Sequence, residues 1–216
     1  GNEADVQAAA RALLAAERPV IIAGNGVRIS RAFDQLARLA AQIGAPVATT
    51  ASGKGVIAET DDLALGVCGN FGQDAANAYI GAADLVLAIG TRLGPGDTAN
   101  ENPELIDPTR QTLVQIDVEP KNASWAFPCD TVVIGDAALV LDQISDEIDG
   151  IGTPSADDLA ARKALLDVTR EREKFFLDPR DTADDVPIMP QRLLVELHKA
   201  IPDDAFITCD AGENRL

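Results

Sequence analysis

The sequence predicts an α/β fold, an open parallel sheet with helices on both faces, and three observations carry that reading. Short runs that are apolar at every position, such as Val20-Ile21-Ile22-Ala23 and Leu85-Val86-Leu87-Ala88-Ile89, suit strands covered on both sides. These runs alternate with helical patterns of about ten to fifteen residues, the rhythm of βαβ units. Each run also ends on glycine or a polar residue: Gly24, Thr50, Gly90-Thr91-Arg92, Asp117 and Gly135-Asp136. In a parallel sheet these endings share one edge, where ligands collect.

The elements follow in chain order. Ala4 to Ala16 is alanine-rich, with Val6, Ala9, Ala10, Leu13 and Leu14 near helical spacing, and Pro19 closes it. The strand at 20–23 runs into Gly24-Asn25-Gly26, and Ser30 stands as the N-cap of a helix reaching Ile43, with Gly44 past its end. Pro46 to Thr50 is the next strand. Ala51 to Gly72 is turn-rich, a helix covers Gln73 to Ala82, and the strand at 85–89 follows. Thr112 to Ile116 and Thr131 to Ile134 are two further strands, and a helix over Ala137 to Ile148 closes the domain.

Gly150, Gly152, Pro154 and Ser155 mark a break. Residues 1–149 are therefore expected to form the main domain. A charged helix at 156–176 and a proline-flanked acidic stretch make 150–186 a linker, with Arg162, Lys163, Arg170, Arg172 and Lys174 set among carboxylates as on a solvated face. Residues 187–216 hold a helix from Pro190 to about Ala200 and a buried strand at 205–209, read as the first piece of a further domain. The chain is thus expected to be a fragment.

Composition narrows the function. Eighteen basic against 35 acidic residues give a net charge of −17, which repels nucleic acid and acidic membrane surfaces. No apolar run approaches the roughly 18 residues of a membrane span, and no export signal is visible, so a cytoplasmic setting is expected. Cys68, Cys129 and Cys209 are dispersed and form no CxxC pair, and His198 is the single histidine, placed near a helix end. A disulfide framework, a zinc site and a multi-histidine centre are excluded, and no catalytic residue or metal ligand is assigned.

The polar strand ends are the candidate site. Gly24-Asn25-Gly26 between strand and helix favours an anion, yet Ile29 replaces the third glycine of a dinucleotide fingerprint, so a plain tight turn remains open. Arg92 suits a diphosphate or a nearby carboxylate. Asp117 suits ribose hydroxyls or an adenine amine, whereas Asp117 and Asp136 equally suit caps. No Walker A loop occurs.

The ordered set Arg18 to Val27, Pro46 to Thr50 with Gly53-Lys54-Gly55, Leu65-Gly66 with Gly69, Ala83 to Arg92, Ile116-Asp117 and Gly135-Asp136 resembles the central domain of thiamine-diphosphate-dependent enzymes of the acetolactate synthase type. The resemblance covers about residues 4–148 and implies a Rossmann-like, DHS-like NAD/FAD-binding fold. The segment after Pro187 resembles the start of that family's diphosphate-binding domain. The resemblance implies a parent enzyme using thiamine diphosphate and magnesium, with N- and C-terminal domains lacking here and a homodimeric or homotetrameric assembly, so that this chain alone is catalytically silent.

In flavin-containing members the central domain binds FAD. The positions matching here are Gly24, Gly26, Thr50, Phe71, Gly72, Gly90, Thr91, Arg92, Asp117 and Asp136. Phe71-Gly72 replaces the usual His-Gly, and Leu93-Gly94 replaces an Asp-Asp pair, so a nucleotide site for FAD or ADP, occupied or vestigial, is the expectation. Two other readings stand beside it: a free-standing NAD- or FAD-binding enzyme of sirtuin-like fold, and an interaction module without a ligand.

Overall fold

A computed structural model of the chain describes residues 1–202 and 204–208. They form two compact units, Gly1–Glu173 and Lys174–Leu216. The first unit holds α1 (Glu3–Ala15), β1 (Pro19–Ala23), α2 (Asn25–Ser30), α3 (Phe33–Ile43), β2 (Val47–Thr49), β3 (Ala64–Val67) and α4 (Asp74–Gly81). It continues with β4 (Leu85–Ile89), β5 (Thr112–Asp117), β6 (Thr131–Ile134), α5 (Ala137–Ile151) and α6 (Ala156–Arg172).

The six strands form one sheet in the order β3-β2-β1-β4-β5-β6, every pair parallel. The chain winds outward from β1 to β3, then returns to β4 on the other side of β1. The reversal point therefore lies between β1 and β4, where a crevice opens outside the strand ends.

Alternation along each strand feeds two cores. Ile21 and Ala23 of β1 with Leu87 and Ile89 of β4 point toward α1, α3 and α5, whose Leu13, Leu36, Ile43 and Ile144 complete one layer. Val20, Ile22, Val86 and Ala88 face the other way and pack with Tyr79 and Ile80 of α4 and Leu166 of α6. Strands buried on both faces explain why their sequences are apolar throughout.

Three expectations need correction. The stretch after β2 contains a strand, β3, and its Gly66 takes a left-handed φ of 77° beside a register shift at Val47/Ala48. Ser30 does not cap the long helix. It ends the short α2, Arg31 turns left-handed at φ 56°, and α3 starts only at Phe33. Its hydroxyl donates instead to Asp136 at 2.8 Å and accepts the Ala138 N–H at 2.9 Å.

Third, Arg162 and Arg170 are not on a solvated face. Arg162 is buried, and its guanidinium donates to the carbonyls of Ala16 and Ile43, at the C-terminal ends of α1 and α3. Arg170 donates to the carbonyls of Asp61 and Ala64, and Arg18 donates to Thr169 at 3.2 Å. Helix α6 is thereby bound to the first unit through backbone oxygens that helix and strand ends leave open.

The second unit holds a 3-10 turn at Pro179–Thr182 and α7 (Pro190–Ala200), with Pro190 in its first turn. Arg192 joins the two by donating to the Thr182 carbonyl at 3.2 Å and pairing with Asp184. The strand expected at 205–209 is not formed over 205–208, where Phe206 and Ile207 are exposed. No strand among the described residues of this unit offers it a ladder. Cys209 and Asp210-Ala211-Gly212 lie outside the described residues. No helix among the described residues is long and apolar enough to cross a membrane.

Candidate functional site

The site grows from two turns that interlock at the reversal point. The Gly24 N–H donates to the Ile89 carbonyl at 2.8 Å, the Gly26 N–H to the Gly90 carbonyl at 3.0 Å, and the Gly90 N–H to the Ile116 carbonyl at 2.8 Å. A Cβ on Gly24 would strike the Gly90 carbonyl, and one on Gly26 would sit 2.5 Å from the Gly90 Cα. Gly90 itself has φ 60°. These glycines are first a packing requirement: three strand ends approach closer than any side chain permits.

Above them a cleft of about 640 Å³ opens over the ends of β1, β4, β5 and β6. It brings together Gly26, Gly90, Thr91, Arg92, Asp117 and Asp136. Gly24 lies under the floor as a packing residue. Thr50 is buried at the end of β2, where its hydroxyl accepts the Gly53 N–H at 3.0 Å. Phe71 is exposed, and Gly72 is backed by the Cys68 main chain, so neither lines the cleft. Ile29, Val118 and Asn122 line it without having been foreseen, and Asn25 lines it from the Gly24-Asn25-Gly26 turn singled out above. Each stands within a few residues of a foreseen strand end, which was the available signal.

The polar groups differ in what they have to spare. Asp136 caps α5: its Oδ1 accepts from the Ser30 hydroxyl and from the Ala138 N–H at 3.1 Å. Asp117 is buried, and its Oδ1 accepts the Glu119 N–H at 2.9 Å and the Asn122 side-chain amide at 3.1 Å. Its second oxygen takes neither bond. The Thr91 hydroxyl accepts the Leu93 N–H at 3.1 Å. Arg92 is exposed, and its guanidinium lies 5.2 Å from the ring centroid of Trp125.

The lining carries Arg92 against four carboxylates, Asp97, Asp117, Glu119 and Asp136. Burial pushes the Asp97 carboxyl above its ordinary value, with the Ala51 amide and Arg92 opposing the rise. Cys68, just below, has its thiol pushed up to about 12, chiefly by burial, and is an inert core group. His198 is exposed in the last turn of α7. Among the described residues no group of three or more His, Cys, Asp or Glu side chains could hold a metal. Among these residues, Arg92 is the one cationic side chain that the cleft lining offers to a diphosphate.

A doubly covered parallel sheet in this strand order, with a polar cleft at its reversal point, defines a Rossmann-like α/β domain. Residues 6–144 match the thiamine pyrophosphate enzyme central domain. The chain belongs to that family, and all or nearly all of its length aligns with part of longer curated relatives. It is 29% identical to a probable acetolactate synthase large subunit of Methanococcus aeolicus and 32% identical to one of Methanocaldococcus jannaschii, each alignment covering 100% of this chain. It is 32% identical to a sulfoacetaldehyde acetyltransferase of Castellaniella defragrans, over 98% of this chain. The chain spans 36–38% of the length of these relatives. These likenesses do not favour the sirtuin-like alternative.

Proposed function

We propose that this chain is the central domain of a larger thiamine-diphosphate-dependent decarboxylase or carboligase of 2-oxo acids, akin to the acetolactate synthases and sulfoacetaldehyde acetyltransferases it resembles. The parent would hold thiamine diphosphate and magnesium on its other domains, assemble as a homodimer or homotetramer, and work in the cytoplasm. The contribution of this domain is to support that assembly and to bind an adenine nucleotide, ADP or the ADP half of FAD, in the cleft at the sheet's reversal point.

One observation carries the nucleotide reading: Arg92, Asp117 and the side-chain-free backbone of Gly26 and Gly90 converge on one cleft. The open oxygen of Asp117 suits ribose hydroxyls, Arg92 suits a phosphate, and bare glycine backbone lets a ligand approach closely. A volume of about 640 Å³ suits a nucleotide-sized ligand. The three surplus carboxylates weigh toward a ligand rich in hydroxyl and amine donors with its charge confined to the Arg92 end.

Calorimetric titration of the chain with ADP, adenosine and FAD tests this. ADP is expected to bind, and Asp117→Asn to weaken ADP and adenosine alike by about ten-fold, the worth of a charge-assisted hydrogen bond. Absence of heat from all three ligands overturns the nucleotide reading. Turnover of a 2-oxo acid with added thiamine diphosphate and magnesium is expected from a longer chain carrying the flanking domains and not from these 216 residues.

A further inference from the structure

Gln115 stands in the middle of β5, buried, and its amide ties together the two loops beside the cleft. Nε2 donates to the Thr91 carbonyl at 3.0 Å and to the Asn122 carbonyl at 3.1 Å, while Oε1 accepts the Ser124 N–H at 2.8 Å. One bond thus ends on the residue before Arg92 and another on the residue before Trp125. Ser124 takes a left-handed φ of 52°, and the Trp125 N–H closes the turn onto the Asn122 carbonyl at 3.2 Å. The outcome is the Arg92 guanidinium carbon set over the indole, 5.2 Å from its centroid.

A guanidinium held over a ring by a cation–π contact commits none of its five N–H donors to a hydrogen bond with an acceptor oxygen. Among the described residues, Arg92 makes no hydrogen bond or ion pair, although the chain carries 35 carboxylate side chains. Among the described residues its N–H donors have no acceptor at the cleft rim, and its torsional freedom is reduced by the indole beside it.

We propose that Trp125 is a positioning residue for ligand binding: it holds Arg92 at the cleft rim so that the guanidinium meets the phosphate of a nucleotide in the cleft, with Gln115 fixing the two loops that make the pair. This rests on the nucleotide reading above and adds to it the residues that orient its anion contact. Trp125 lies on the exposed turn outside the strand, so replacing it leaves both cores intact.

Trp125 is the single tryptophan, so its emission reports on the pair directly. In the full chain, ADP is expected to change that emission, and adenosine, lacking phosphate, to leave it unchanged. Trp125→Leu should weaken ADP about two- to five-fold, the worth of an exposed cation–π contact, with adenosine unaffected and Trp125→Phe restoring part of the loss. Arg92→Lys should bind ADP no better than Trp125→Leu, because an ammonium lacks the fork of donors that grips a phosphate. Gln115→Met should shift the emission before any ligand is added, with the melting transition recorded to show that the variant is folded. If ADP gives heat but neither changes the emission nor distinguishes Trp125→Leu from the unaltered chain, the positioning role fails and the nucleotide reading stands. If neither ADP nor adenosine gives heat, both fail.

Discussion

Gly26 and Gly90 meet with Cα atoms where other residues would place side chains, so single carbons decide whether the cleft floor closes. Gly26→Ala puts a methyl 2.5 Å from the Gly90 Cα and is expected to cost about 1–3 kcal/mol in urea unfolding, as overpacked sites do. Gly90→Ala should cost more, because its φ of 60° adds left-handed strain to the same collision. Equal midpoints for both variants and the unaltered chain would show that the turns can part without penalty. Asp97 gives the opposite case, a side chain whose removal of charge should help. Its carboxyl is raised by burial, so the folded state holds that proton more tightly than the unfolded state, and the group favours folding less as pH rises through its folded value. Asp97→Asn is therefore expected to raise the melting temperature near neutrality, and the gain should vanish below the ordinary carboxylate value of 3.8, where both forms are neutral. The same variant should strengthen ADP binding, since a carboxylate beside Arg92 competes with phosphate. A gain that persists unchanged in acid would point to packing and not to charge.

Helix starts and strand ends in this fold are shared between distant segments, and that is where sequence reading stops short. The uniformly apolar runs at 19–23 and 85–89 were legible because burial on both faces leaves a composition that nothing polar interrupts. β3 was hidden: it is four residues long, with a left-handed glycine inside it. Ser30 looked like a cap for the helix that follows it, yet it serves α5, 108 residues further on, a partnership with no local signature. That sharing is testable. Asp136→Ala and Ser30→Ala should each cost about 0.5–2 kcal/mol as lost caps, and the double variant less than their sum, because the two side chains hydrogen-bond to each other. Strict additivity in a double-mutant cycle would separate them into independent contacts. Half of the cleft was visible as polar strand endings, whereas Gln115 and Trp125 were not. A glutamine in a strand and a tryptophan in a loop acquire meaning only once β4 and β5 lie side by side.

At the scale of the molecule, the question is which residues make a self-sufficient fold. Gly1–Glu173 contains all six strands, both apolar layers and every residue lining the cleft. It also contains α6, whose Arg162 reaches two helix ends, so a chain cut at the glycine-rich break near Gly150 would remove Leu166 from the layer around Tyr79 and orphan the carbonyls of Ala16 and Ile43. Among the described residues of Lys174–Leu216, by contrast, α7 has no buried residue and leaves Leu193, Leu194 and Leu197 exposed, so no apolar layer there stabilises it. Two truncations separate these cases. A chain ending at Glu173 is expected to melt within about 2 °C of the full chain and to bind ADP equally, because nothing that forms the cores or the cleft is removed. A chain ending at Asp149 is expected to lose several kcal/mol, from exposed core and unpaired carbonyls together, and to melt far lower. Circular dichroism melts with parallel ADP titrations decide the matter: a chain ending at Asp149 that melts like the full chain would make α6 an appendage, and the clamp through Arg162 would have no part in holding the domain together.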